Sequence, residues 1–246
     1  SIDEVFDARI GDVSGRGRLA ADMREIWMMQ PRFEKRTGAS CHTLAEQPRF
    51  RAGLDFLQLR AANGEVPEML ADWWAQFAQS GQSVREDLIA QARAEQQRAY
   101  LKSQMPMYGV GVPATRRLAT RIAAAHADLW HDATTWETAL RHLWDGATHR
   151  EERFAALAII RSTYSAAHTD RMESLALYEH LLRTGQWWDL VDETSHAVGL
   201  VVRARPAAAA RMRAWAADPD LWVRRSAIIC QLQHKDRTDL HLLTDV

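Results

Sequence analysis

Helix-start signals recur at short intervals after position 80, and they constrain this chain more than any other feature. Ser83-Val84-Arg85-Glu86, Thr134-Thr135-Trp136-Glu137, Thr148-His149-Arg150-Glu151 and Asp170-Arg171-Met172-Glu173 each set a capping side chain three residues before a glutamate. In that spacing the cap accepts from one unpaired amide of the first turn while the glutamate reaches back to another. Asp218-Pro219 adds a cap followed by proline at the first helical position. Between these starts apolar residues recur at three- and four-residue spacing, as in Leu175, Tyr178, Leu181 and Leu182. Ala, Leu, Arg, Glu and Gln dominate, all good helix formers. No stretch alternates as a half-buried strand does. The expected fold class is all-α.

Helices of roughly ten to twenty residues joined by short turns give the rhythm of stacked helix pairs, a HEAT-like helical-repeat solenoid. No strict sequence repeat is visible, so the solenoid expectation rests on that rhythm alone. A polar linker, Gln79-Ser80-Gly81-Gln82, marks a boundary. Before it the texture changes: Trp27, two Pro-Arg-Phe units (Pro31-Arg32-Phe33 and Pro48-Arg49-Phe50) and Arg51 occur with little regular capping. Residues 1–80 are expected to form a separate helical segment and residues 83–246 the repeat domain. The start at Ser1 and the end at Thr244-Asp245-Val246, in mid-pattern, read as a piece of a longer chain.

A chain of 246 residues, 47% hydrophobic and 26% charged, can bury one large core or two small ones. No run of about eighteen apolar residues occurs, so no membrane span is expected. Ser1-Ile2-Asp3-Glu4 lacks a charged-then-apolar leader. Cys41 and Cys230 are the only cysteines, which argues against a disulfide framework and for a reducing cytoplasm. A net charge of −1 disfavours blanket polyanion binding. Arg203, Arg205, Arg211, Arg213, Arg224 and Arg225 nevertheless crowd one end, as local phosphate ligands or as a solvated helical face. His142 and His149, like His234 and His241, are seven apart, but two histidines without a third ligand make a poor metal site. No phosphate-binding Gly-rich loop and no Gly-x-Ser-x-Gly elbow occurs. Met28-Met29 and Met105 with Met107 read as core filling.

The chemistry-bearing stretch is Gln186-Trp187-Trp188-Asp189-Leu190-Val191-Asp192. Trp188 and Asp192 are four apart, hence on one face of a helix. An indole beside a carboxylate can cradle a sugar or a base while stabilising positive charge. The blander alternative is a core helix end with a capping acid. Adjacent helical positions point about 100° apart, so Trp187 is expected to be the buried member of the pair. Asp189 is expected to support or cap. His196, four after Asp192, either neighbours the acid or is a plain surface histidine.

Three motifs carry a resemblance. Met105-Pro106-Met107-Tyr108-Gly109-Val110 with Pro113, Arg116 and Arg117, then Trp187 to Asp192, then Leu221-Trp222-Val223-Arg224-Arg225-Ser226-Ala227-Ile228-Ile229 with Gln231-Leu232, occur in order. From about residue 84 the chain resembles the DNA alkylation repair family, alkylpurine DNA glycosylases built from HEAT-like repeats. The resemblance implies hydrolysis of the N-glycosidic bond of N3- or N7-alkylated purines in duplex DNA, with the lesion left stacked or exposed and no metal or organic cofactor. It implies Asp192 as the catalytic carboxylate, Trp188 against the deoxyribose and Arg225 on a phosphate near the lesion. Arg224 would point elsewhere, helix register deciding which of the two faces DNA. Charge alone adds Arg116, Arg117, Arg183 and Arg203 as further phosphate contacts. A monomer acting in the bacterial cytoplasm, at the nucleoid, is expected. The family carries a further tryptophan on a later repeat, and this chain stops at Val246 before it, so the repeat domain is expected to be C-terminally truncated, with an uncapped apolar end and its activity in question.

The first 80 residues resemble something else. Met23-Arg24-Glu25-Ile26-Trp27, Gln30-Pro31-Arg32-Phe33-Glu34 and Pro48-Arg49-Phe50-Arg51-Ala52 are similar to the C-terminal region of bacterial poly(A) polymerases, relatives of the tRNA nucleotidyltransferases. No strand-borne acidic pair for a polymerase head is present, so the segment is expected to be an accessory piece, a candidate for RNA contact. Two other readings stand beside the glycosylase: a non-catalytic HEAT-repeat scaffold for nucleic acid or protein, and an RNA-processing accessory factor led by the first 80 residues.

Overall fold

The structure is a computed structural model that describes residues 18–246, and every regular element in that span is helical. Ser1-Ile2-Asp3-Glu4, inspected above for a leader, lies outside the described residues. No described helix is long and apolar enough to cross a membrane. The chain forms two compact units, divided between Gln97 and Arg98.

The first unit contains α1 (Arg18–Phe33), α2 (Ser40–Ala45), α3 (Phe50–Ala62), α4 (Glu68–Gln79) and most of α5 (Gln82–Leu101). The two Pro-Arg-Phe units serve one purpose here. Phe33 ends α1 and Phe50 begins α3, their rings stand 5.9 Å apart, and both lean on Trp74 of α4 at 5.1 and 5.9 Å. Trp74 is fully buried and donates from Nε1 to the Phe33 carbonyl at 2.7 Å, so its one polar atom is satisfied inside the core. Met29 fills this core. Met28, expected to do the same, is exposed instead, because neighbours on a helix face apart.

The second unit runs through α6 (Val112–Ala125), α7 (Ala133–Asp145), α8 (Arg150–Ile160), α9 (Ser174–Gly185), α10 (Trp188–Ala204), α11 (Ala208–Ala216), α12 (Leu221–Ile229) and α13 (Leu240–Asp245). Helices α6, α8, α10 and α12 lie side by side in one layer; α7, α9 and α11 back them, each packed on the helix that follows it, and α13 packs on α11. Trp136, Trp144, Tyr178, Leu182, Val198 and Trp215 fill the space between the layers. Several bonds joining successive pairs share a similar sequence separation that the amino-acid pattern conceals. It is 33 for Arg225–Asp192, 31 for Ser195–Ser226, 32 for Arg161–Glu193, and 35 for Arg183–Asp218 and for His234–Gly199. The described chain is thus all-α, and its second unit is built from layered helix pairs.

Several helix starts move by a few residues from their expected caps. Helix α8 is capped by His149, which trades bonds with Glu152, one residue later than the expected Thr148 pair. Asp132 rather than Thr134 caps α7, accepting from the Thr135 amide at 2.7 Å. Asp220 caps α12, and Asp218 instead accepts from the Asp220 amide at 2.8 Å. Asp170 starts no helix. The chain runs on in turns to Ser174, whose buried hydroxyl donates to the His168 carbonyl at 2.6 Å. At α7, α8 and α12 a side chain better placed to reach the amides wins over the sequence signature.

Candidate active site

Helices α9 and α10 are joined by only Gln186 and Trp187. So abrupt a reversal needs a left-handed residue, and Gln186 supplies it with φ 38° and ψ 38°. The turn packs tightly. A Cβ on Gly185 would stand 3.1 Å from the Trp144 indole, which itself donates to the Thr184 hydroxyl at 2.8 Å. The Arg153 guanidinium lies 5.0 Å over Trp144 and donates to the Thr184 carbonyl.

This turn separates the two tryptophans. Trp187 is in extended conformation, half-buried and packed on Trp222 at 5.9 Å. Trp188 opens α10 with 38% of its surface exposed, edge-on to the exposed Tyr100 at 6.1 Å. Asp189 points inward, where the Arg150 guanidinium grips both carboxylate oxygens and the two side chains are only 5% and 8% exposed. Arg150 also ties down the 105–110 loop, since its amide donates to the Pro106 carbonyl at 3.0 Å. Next to it the buried Glu151 carboxylate accepts from the amides of Tyr108, Gly109 and Val110 at 2.9–3.1 Å. The first and second motifs are therefore one structure, clamped through the start of α8.

One turn beyond Trp188, Asp192 faces outward with 36% of its side chain exposed. Arg225 of α12 holds it with Nε and Nη2, each 2.7 Å from a carboxylate oxygen. This bidentate fork fixes the plane and direction of the carboxylate. Asp192 in turn accepts these hydrogen bonds and holds the Arg225 guanidinium above its ordinary range. Two further contacts draw α10 and α12 together: Ser195 donates to Ser226 at 2.9 Å, and His234 donates to the Gly199 carbonyl at 2.8 Å.

On the other side of α10, Glu193 meets Arg161 at the end of α8, 2.5 Å away, and Arg116 of α6, 3.9 Å away. His196 stands 3.4 Å from Arg161. Burial first, and then the Arg161 charge, hold its imidazole below the usual histidine range, against the weaker pull of Glu193 and Asp192. Four adjacent helices of one layer thus deliver a charged line, with Arg116 and Arg161 on one side of the acids Glu193 and Asp192 and Arg225 on the other.

The remaining arginines go elsewhere. Arg224 turns back to the carbonyls of Asp218 and Pro219 at 2.6 and 2.9 Å, stapling the loop before α12. Arg183 is spent on Asp218 and Glu179, both at 2.7 Å. Arg117 and Arg203 are exposed on α6 and α10 and lie outside the charged line. His149 stacks on the Tyr108 ring at 3.7 Å. Among the described residues no three His, Cys, Asp or Glu side chains are grouped to hold a metal ion. Sequence reasoning passed over Tyr100, Arg161 and Glu193. The one signal for them is spacing: Arg161 precedes Glu193 by 32 residues, much as Asp192 precedes Arg225 by 33.

Fold and site together define an all-α protein of layered helix pairs with an exposed indole one turn before an arginine-held carboxylate. The chain belongs to the DNA alkylation repair enzyme family, which it matches over residues 84–246. Residues 1–121 match a second family, described as the arginine-rich C-terminus of polymerase A. Among curated proteins, poly(A) polymerase I of Haemophilus influenzae is 38% identical over 107 residues, covering 43% of this chain and 23% of that protein. Poly(A) polymerase I of Salmonella typhi is 37% identical over 82 residues, covering 32% and 18%. The chain thus spans less than a quarter of the length of these relatives.

Proposed function

We propose that this chain is a DNA glycosylase that hydrolyses the N-glycosidic bond of N3- or N7-alkylated purines in duplex DNA. Alkylation leaves the purine cationic and already a good leaving group. The barrier then lies in the sugar, which gains oxocarbenium-like positive charge as the base departs. A carboxylate fixed near that sugar stabilises the charge and can orient the attacking water. The observation that carries the reading is Asp192, half-exposed, aimed by the Arg225 fork and one turn from an exposed indole. Trp188 offers a flat face for the deoxyribose, and its ring quadrupole favours cationic character beside it.

Arg225 has five N–H donors and spends two on Asp192. Its other donors can grip a phosphate while the carboxylate stays in place, so one residue serves both. Arg224, turned to the Asp218 loop, supports α12 rather than DNA in this reading. The test is release of 7-methylguanine from methylated duplex DNA by the wild type and by Asp192→Asn. Loss by orders of magnitude in the variant supports the reading, whereas equal release removes Asp192 from the mechanism. No release by either leaves a non-catalytic scaffold in front.

The match of residues 1–121 to the polymerase arginine-rich region favours a second role, RNA contact by the N-terminal unit. Selective binding of RNA over alkylated duplex would support it. We place the protein as a monomer in the bacterial cytoplasm, acting at the nucleoid.

A further inference from the structure

A sugar in a DNA strand has a phosphate on each side, and each phosphate is a point by which a protein can hold the strand. Arg225 reaches Asp192 from α12, one flank of α10. From the opposite flank come Arg161, at the end of α8, and Arg116 of α6, both on Glu193, the residue next to Asp192. Their side chains are 39% and 48% exposed, so each guanidinium keeps donors facing solvent. Two arginines against one glutamate leave a net positive charge there. Val112, Phe154, Leu157 and Ala158 line the same spot and give the long side chains an apolar floor.

We propose that Arg161 and Arg116, positioned by Glu193, form a second phosphate clamp across α10 from Arg225, so that the two clamps take the phosphates flanking the nucleotide whose sugar faces Asp192. The inference rests on the glycosylase reading. Glu193 is a positioning residue in it: the acid keeps both guanidiniums beside Asp192 without touching DNA. The His196 imidazole, held below its usual range first by burial and then by the Arg161 charge, lies at the same corner.

The experiment compares the wild-type chain, Arg161→Gln, Glu193→Gln and, as control, Arg211→Gln, whose guanidinium is tied to Glu179 away from this face. Binding to an unmodified duplex is measured against salt, and 7-methylguanine release is measured in single turnover at saturating enzyme. Removing one phosphate contact should reduce the slope of log K on log salt by about 1. For Arg161→Gln we expect that loss, roughly ten-fold weaker binding and a saturating rate within about two-fold of wild type. Glu193→Gln should also weaken binding, although it removes a negative charge, because the guanidiniums lose their anchor. Arg211→Gln should leave the slope unchanged. An unchanged slope in Arg161→Gln, or tighter binding by Glu193→Gln, overturns the clamp. If the wild type itself neither binds duplex nor releases base, the underlying glycosylase reading fails instead.

Discussion

Gly199 and Cys230 approach each other more closely than any side chain permits: a Cβ on Gly199 would lie 2.2 Å from the Cys230 carbonyl oxygen. The glycine lets α10 settle on the end of α12, and the same seam carries Ser195–Ser226 and Asp192–Arg225. Gly199→Ala should therefore force the helices apart, costing about 1–3 kcal/mol of stability as an overpacking change. Urea denaturation measures that cost. Base release should fall as well, because the fork on Asp192 spans the seam; a variant of wild-type stability would disprove the close approach.

Arg150 and Asp189 form a buried ion pair that joins the starts of α8 and α10. Breaking one side leaves an uncompensated buried charge, so Arg150→Met should cost about 3–5 kcal/mol. Arg150→Met with Asp189→Leu should recover part of the loss, because the stranded charge is gone. Chemical denaturation of the single and double variants provides the comparison.

Arg225→Lys keeps the charge and loses the fork. An ammonium is a point donor that cannot fix the plane of a carboxylate. Single-turnover release is expected to fall about 10- to 100-fold, on the scale of one lost electrostatic or orienting contact. A lysine variant with the full wild-type rate would show that the bidentate geometry is incidental.

Acid should unfasten the outer side of the second unit. Hydrogen bonds from Arg183, and then from the Asp220 amide, hold Asp218 down to about 2. Glu179 is raised by burial, but the hydrogen bonds from Arg183 and Arg211 together outweigh this and hold it low. A depressed carboxylate adds stability that is complete above its unfolded value of about 4 and is lost as pH falls toward its folded value. Wild type should therefore exceed Arg183→Gln in stability at pH 6, with the gap closing between about pH 4 and pH 2. Urea midpoints across that range provide the measurement, and a gap independent of pH would contradict it.

Much of the molecule was legible in its residues because local rules govern it. Apolar spacing gave the helical class, but the 100° helical step does not apply to the two tryptophans, because Trp187 is extended and half-buried just before α10 begins at Trp188. Cap signatures found the helices but missed their first residues, since Asp132, His149 and Asp220 reach the amides better than the expected caps. Charge alone could not sort the arginines. Arg183 and Arg161 look alike in sequence, yet one is locked to Asp218 and Glu179 while the other reaches the helix that bears Asp192. That distinction depends on which helix lies alongside, about 32–35 residues away, and no nearby residue records it.

The common separation of those bonds bears on how the chain finds its shape. The bridges Ser195–Ser226, Asp192–Arg225, Arg183–Asp218 and Arg150–Asp189 close loops of 31, 33, 35 and 39 residues, so these steps of assembly carry similar entropy costs. These bridges do not wait for distant parts of the chain to meet, and contacts of such modest range favour rapid folding. The second unit should zip pair by pair from whichever seam forms first. A fault at one seam then slows a single step and leaves the others their own speed.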